Sequence, residues 1–285
     1  MFCFLSLNRQ YLMNIIIMKK CIYYWYVSDF WCDLYDIHLE SIRYYLPKCN
    51  FDEIVFAISY DDIKNKNITK VVNLLKDISP NANFIYVKND SFLRESLFFY
   101  NEIYKKLETY NENDSIFFGH CKGANSNYLT KYNLLHWINF LYFGTLFYKE
   151  RIEEALNDKD TLFAGSLIIP EYQYHNGLNY RFFEQNNKWY YNGTFYWLKP
   201  KKIYDYIQRN SIIIPECNRF FDETFPGNVC PNNKVYNKDI LKFEIDLLEF
   251  DKFIYSLDNA TKLDYFNSSY TIYSNILLNE RTKQE

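Results

Sequence analysis

The sequence predicts an α/β fold with a mostly parallel sheet and helices on both faces. Three observations lead there. Short apolar runs alternate with helical-period segments through the first two-thirds of the chain, the pattern of βαβ units. The runs are nearly continuous in apolar residues, as in CIYYWYV at 21–27, which suits strands covered on both sides. At 285 residues and 48% hydrophobic content, the chain can bury a full core without disulfides or metal.

The elements follow in order. Residues 21–27 predict the first strand, and 34–46 carry apolar residues at helical spacing. A second strand is expected at 53–59 (EIVFAIS), ended by Asp61 and Asp62. Residues 68–78 predict a helix that Pro80 closes, and 83–87 (NFIYV) a third strand. A helix is expected over 92–107 and a fourth strand at 115–118 (SIFF). Residues 128–156 read as helix in two pieces that break near Gly144, and 161–169 contains a fifth strand. Residues 189–198 read as one strand, followed by a helix over 200–209 with Pro200 in its first turn. Residues 234–285 show no clear periodicity. The expected organisation is one α/β domain over 18–230 and an irregular C-terminal extension over 231–285. Residues 1–17 are read as a non-native N-terminal extension, because Met18 stands directly before the first strand.

Composition excludes several classes. With 32 basic and 35 acidic residues, the chain lacks the basic excess of a nucleic-acid binder. The longest apolar stretch, Leu134–Tyr148, reaches only ~22 Å as a helix against a ~30 Å hydrocarbon core, and His136, Asn139 and Thr145 interrupt it. A buried helix is the better reading, so no transmembrane segment is expected. The seven cysteines show no C-x-x-C or metal-ligand spacing and read as reduced thiols, which implies a cytoplasmic protein. The 29 Tyr and 25 Phe come with abundant Asn, Ile and Lys, an AT-rich codon bias, so aromatic content alone signals no sugar platform. There is no G-x-G-x-x-G after the first strand, no P-loop, no H-E-x-x-H and no G-x-S-x-G.

In parallel α/β sheets, ligands bind beyond the carboxyl ends of the strands. Three constellations fall in or after such loops. In Gly119-His120-Cys121-Lys122-Gly123, Gly123 can let backbone approach a ligand, Lys122 can set a charge on phosphate oxygens, and His120 can donate to phosphate or ligate a metal. In Asn192-Gly193-Thr194-Phe195-Tyr196-Trp197, a polar turn adjoins aromatic faces, with Phe195 and Trp197 on one side of a strand. In Arg219-Phe220-Phe221-Asp222-Glu223, adjacent carboxylates beside an Arg can supply a general base, since partial burial raises a carboxylate pKa toward neutrality. Asp61 and Asp62 can contact a nucleotide or a metal. Each group also has a plain structural reading: a turn, an amphipathic strand, a helix end and an exposed loop. Arg94-Glu95 reads as helix capping and a first-turn acid.

The order of the motifs is more specific than any one of them. A strand ending in H-x-K-G, then G-[NT]-F-[WY]-W, then R-x-x-x-E-x-F-P-G resembles bacterial glycosyltransferase-like proteins related to rhamnan-synthesis proteins. The matching positions are His120, Lys122 and Gly123; Gly193, Phe195 and Trp197; and Arg219, Glu223, Pro226 and Gly227. The resemblance covers roughly 20–230. It implies a Rossmann-like, GT-A-type domain, a nucleotide-sugar donor, and a glycan or lipid-linked acceptor at the inner face of a membrane. It also implies hexosyltransferase-like activity in polysaccharide biosynthesis. Metal-dependent GT-A enzymes hold manganese or magnesium with Asp-x-Asp at a core strand end, whereas this sequence has His120-Cys121-Lys122 there. Lys122 then supplies the charge directly, or the metal ligands lie elsewhere, or catalysis is lost. For glycosyl transfer, Lys122 is the first candidate to face the leaving diphosphate, with His120 assisting; Glu223 is the candidate base for the acceptor hydroxyl, with Asp222 second, and Phe195 and Trp197 would shape the sugar pocket. A non-catalytic nucleotide- or glycan-binding protein on the same fold is the alternative.

Overall fold

A computed structural model of the chain describes residues 18–121, 131–147, 149–166, 168–170, 189–191, 193–230, 235–237 and 258–282. The expectations for 1–17, Lys122, Gly123 and Asn192 lie outside the described residues.

The centre of the molecule is a seven-stranded sheet of order β3-β2-β1-β4-β8-β5-β9. Its strands are β1 (Lys19–Val27), β2 (Glu53–Tyr60), β3 (Asn83–Lys88), β4 (Ser115–His120), β5 (Phe163–Gly165), β8 (Tyr196–Leu198) and β9 (Val235–Asn237). β1 pairs in parallel with β2 and with β4, β2 with β3, and β5 with β9. Only β8 runs against its neighbours, β4 and β5. A separate antiparallel pair joins β6 (Ile168–Pro170) to β7 (Trp189–Tyr191).

Helices cover both faces. On one face lie α1 (Asp33–Tyr45), α2 (Lys66–Ile78), α4 (Lys131–Tyr142) and α5 (Lys149–Asn157), packed on Tyr23, Trp25, Phe56 and Phe117. On the other lie α3 (Glu95–Glu102), α6 (Pro200–Arg209) and α7 (Phe221–Val229), packed on Ile22, Tyr24, Phe118 and Tyr196. Alternate residues of β1 and β4 thus enter different cores, which is why these strands read as unbroken apolar runs. The expected α/β, mostly parallel architecture is the observed one.

Three local differences have physical causes. The run 189–198 forms two strands, because Gly193 (φ +89°) and Thr194 (φ +56°) turn the backbone through the left-handed region. The helix expected over 92–107 is shorter, since Arg94 (φ +49°) precedes α3 and a 3-10 turn at Tyr104–Thr109 follows it. The break expected near Gly144 is a π-helical segment, Phe143–Phe147, between α4 and α5. A Cβ on Gly144 would lie 2.6 Å from the Ser166 hydroxyl, so a glycine is needed for this close approach. Within 231–285, β9 extends the sheet and α8 (Asn259–Thr282) adds a helix.

The six described cysteines are all free thiols. Among the described residues, no helix is long and apolar enough to cross a membrane.

Candidate functional site

The strand order reverses between β1 and β4. From β1 the chain passes through α1 to β2 on one side, while β4 lies on the other. Such sheets bind ligands beyond the carboxyl ends of the strands that flank the reversal, here β1 and β4. The loop after β1 is strapped by the start of α2: Asn65 Nδ2 donates to the Ser28 carbonyl (2.9 Å) and Asn67 Nδ2 to the Asp29 carbonyl (3.0 Å). Asp61, at the end of β2, accepts from the Tyr26 hydroxyl and from Asn89 Nδ2, tying three strand ends together. Asp62 accepts from the Lys64 backbone and shapes the next turn.

At the β4 end, three distant segments meet. His120 is the last residue of β4, Glu95 opens α3, and Asp222 stands in the first turn of α7. His120 Nδ1 lies 3.4 Å from Glu95 Oε1. The Ser96 hydroxyl donates toward the Arg219 carbonyl (2.8 Å) and also contacts Asp222 Oδ1. A hydroxyl has one proton, so both contacts are satisfied together when the Asp222 carboxyl is protonated and donates to Ser96. The electrostatics agree. Burial, with the charges of Glu95 and Glu223 behind it, pushes the Asp222 carboxyl up to about 8, against the opposing pull of the Ser96 hydroxyl.

His120 and Asp222 are 4% and 1% exposed, yet His120 Nε2 and Asp222 Oδ2 are buried without a hydrogen-bond partner. Thr194, fully buried, also leaves its hydroxyl unpartnered. Its positive φ is unusual for a β-branched residue and costs on the order of 1–3 kcal/mol, strain of the kind that collects at functional sites. Phe195 closes the side of the cluster, with its ring centroid 6.3 Å from that of His120. One carboxylate, one imidazole and a second carboxylate form a donor set that can hold a divalent cation or move a proton.

Among the predicted residues, His120, Thr194, Phe195 and Asp222 come together here, with Gly193 in the adjoining turn. Glu223 is half-buried next to Asp222 in the first turn of α7. Arg219 is exposed, with its guanidinium over the Phe220 ring, and contributes its carbonyl rather than its charge to Ser96. Trp197 is part of the core. It is 2% exposed, stacks on Phe51, and donates its indole N–H to the Thr145 carbonyl (2.8 Å). Its strand position points it into the α1 and α4 face, away from α7. Asp61 and Asp62 stand at the same sheet edge but on the β2 side. The sequence reading placed Glu95 at this strand end but took it as a first-turn acid, which it is, and did not single out Ser96.

No family model matches the chain, and no curated protein matches it. Among solved structures, similarity extends to a 4-diphosphocytidyl-2C-methyl-D-erythritol synthase, at 14% identity over 85% of this chain and 99% of that one, with a TM-score of 0.38. It extends also to an active-site mutant of LgtC, at 11% identity over 81% of each chain, with a TM-score of 0.35. Likenesses this distant carry no argument about activity, which is argued below from the site itself.

Proposed function

We propose that this chain is a glycosyltransferase that moves a sugar from a nucleoside-diphosphate donor to a hydroxyl of a glycan. The observation that supports it is the meeting of His120, Thr194–Phe195 and Asp222 at the carboxyl end of β4. These residues come from the three motifs whose order carries the resemblance, and they meet beside the crevice where an α/β sheet binds a nucleotide.

The donor's diphosphate lies at the β1–β4 crevice, with its sugar toward the cluster. As the anomeric C–O bond breaks, negative charge grows on the departing diphosphate. A fixed positive group there stabilises the transition state more than the ground state. Lys122 is that group, and His120, two residues earlier in the chain, assists it as a hydrogen-bond donor. Glu223 is the base. From the first turn of α7, it takes the proton of the acceptor hydroxyl as the new C–O bond forms. Gly123, Asn192 and Gly193 supply backbone that approaches the donor, and Asp61 and Asp62 border the nucleotide side. Hexosyl transfer in polysaccharide assembly, on the cytoplasmic side of a membrane, is the setting this reading fits.

Donor hydrolysis and transfer assays test it. Lys122→Ala and Glu223→Gln should each lower the rate in folded protein. Untouched rates in both would refute the assignments. Nucleoside diphosphate binding without any turnover would favour the second reading, a non-catalytic binder, which the missing Asp-x-Asp at the β4 end supports.

A further inference from the structure

We propose that Glu95, His120 and Asp222 form a binding site for one divalent cation, of the manganese or magnesium class. One ligand-type atom from each residue lies within 4.8 Å of those of the other two. A cation drawing each atom to about 2.1 Å asks only for a small inward movement of side chains. The three residues come from α3, β4 and α7, so the site is built by tertiary structure and not by a local acidic run.

Two further observations point to a ligand. His120 Nε2 and Asp222 Oδ2 are buried polar side-chain atoms with no hydrogen-bond partner among the described residues. Leaving such an atom unpaired costs about 1–3 kcal/mol, and more for a charged group. A cation at the centre of the cluster takes the place of the Asp222 proton and pairs the carboxylate oxygen, which removes that cost. Two carboxylates and a neutral imidazole give the site a formal charge of −2, which a divalent ion cancels. Arg94 and Thr194, both at positive φ, flank the cluster and fix how α3 and the 193–195 turn meet β4.

The ligand set shares no residue type with Asp-x-Asp except one carboxylate, yet it sits at the end of β4, where that motif is missing. In the transferase reading, on which this role rests, the bound cation supplies the counter-charge to the departing diphosphate. Asp222 then serves the metal, and Glu223 serves as the base.

Manganese(II) titration of the full chain, followed by loss of the free-ion EPR signal, tests the site without nucleotide or turnover. The expected result is one bound manganese per chain, with nitrogen coupling from one imidazole. Glu95→Gln, His120→Gln and Asp222→Asn should each weaken binding about 10-fold or more, and His120→Gln should also abolish the nitrogen coupling. Glu95 is the most exposed of the three, so Glu95→Gln tests the site even if the buried variants misfold. No bound manganese in the wild type, or unchanged affinity in the folded Glu95→Gln variant, would overturn the proposal. Calorimetry with nucleoside diphosphates in a chelator, run in parallel, separates the two ideas. Nucleotide binding without manganese binding refutes the metal site alone, and manganese binding without nucleotide binding refutes the transferase reading alone.

Discussion

The Tyr196 hydroxyl donates to the main-chain carbonyl of Asp222 at 2.7 Å, and Pro226 is the reason that carbonyl is available. In a regular helix the N–H four residues on would take it, but Pro226 has none. A strand residue thus completes the first turn of α7 and fixes the backbone that carries Asp222. Tyr196→Phe should strand a buried carbonyl and cost about 1–3 kcal/mol in denaturant unfolding. In a Pro226→Ala background the N–H returns, and the same substitution should cost clearly less. A double-mutant cycle showing no coupling would contradict this account of the turn.

Gly227 sets how closely α7 approaches β7. A Cβ placed there would lie 1.8 Å from the Trp189 carbonyl oxygen, a backbone atom that cannot step aside. Gly227→Ala should therefore destabilise by about 3 kcal/mol or more, because helix and strand must part. Urea denaturation reads the loss, and a variant as stable as the wild type would show that the helix docks differently.

Lys199 gives a pH signature. Burial, with Lys202 beside it, pulls its ammonium down from 10.5 to about 8, while its Nζ donates to the Asp158 carbonyl. The unfolded chain therefore binds this proton more tightly than the folded one. Below pH 8 both states hold it and the cost of the buried charge is fully present. As pH rises from 8 toward 10.5, only the folded state releases it, so this group's contribution to stability improves. Measured against Lys199→Met, wild-type stability should gain between pH 7.5 and pH 9.5. A flat difference would contradict the shift.

The acid–base and metal roles separate by kinetics. Glu223→Gln should lower the transfer rate about 10²–10⁴-fold and leave manganese affinity unchanged, as expected for a lost base. Asp222→Asn should lower both. Rapid-quench transfer assays at saturating donor, paired with EPR titrations, distinguish the patterns. Equal effects of the two substitutions on manganese would contradict the division of labour between these neighbouring carboxylates.

The parallel half of the sheet was legible because burial on both faces leaves strands β1, β2 and β4 with unbroken apolar runs. The polar turn at Gly193–Thr194 was visible, but not that it splits 189–198 into two strands, since apolar character continues on both sides and a positive φ at a threonine leaves no mark in the pattern. α8 was missed because its apolar residues spread around the helix: Tyr265 and Ile272 are buried, while Leu263, Phe266 and Tyr270 are exposed. At the site, His120 and Asp222 stood out as residue types in the right loops. Glu95 did not, because a first-turn acid is explained well enough by the helix dipole. Trp197 drew attention as an aromatic beside a turn, but its partner is the Thr145 carbonyl within the core.

The central claim is that the crevice between β1 and β4 receives a nucleoside diphosphate against the Glu95–His120–Asp222 cluster. Calorimetric titration of the full chain with UDP, GDP, CDP and TDP, with and without manganese, tests it most directly. The account predicts that one of them binds with one-to-one stoichiometry, more tightly with manganese, and that Glu95→Gln removes the manganese-dependent gain. Absence of binding by all four, or binding that neither manganese nor Glu95→Gln alters, would contradict it.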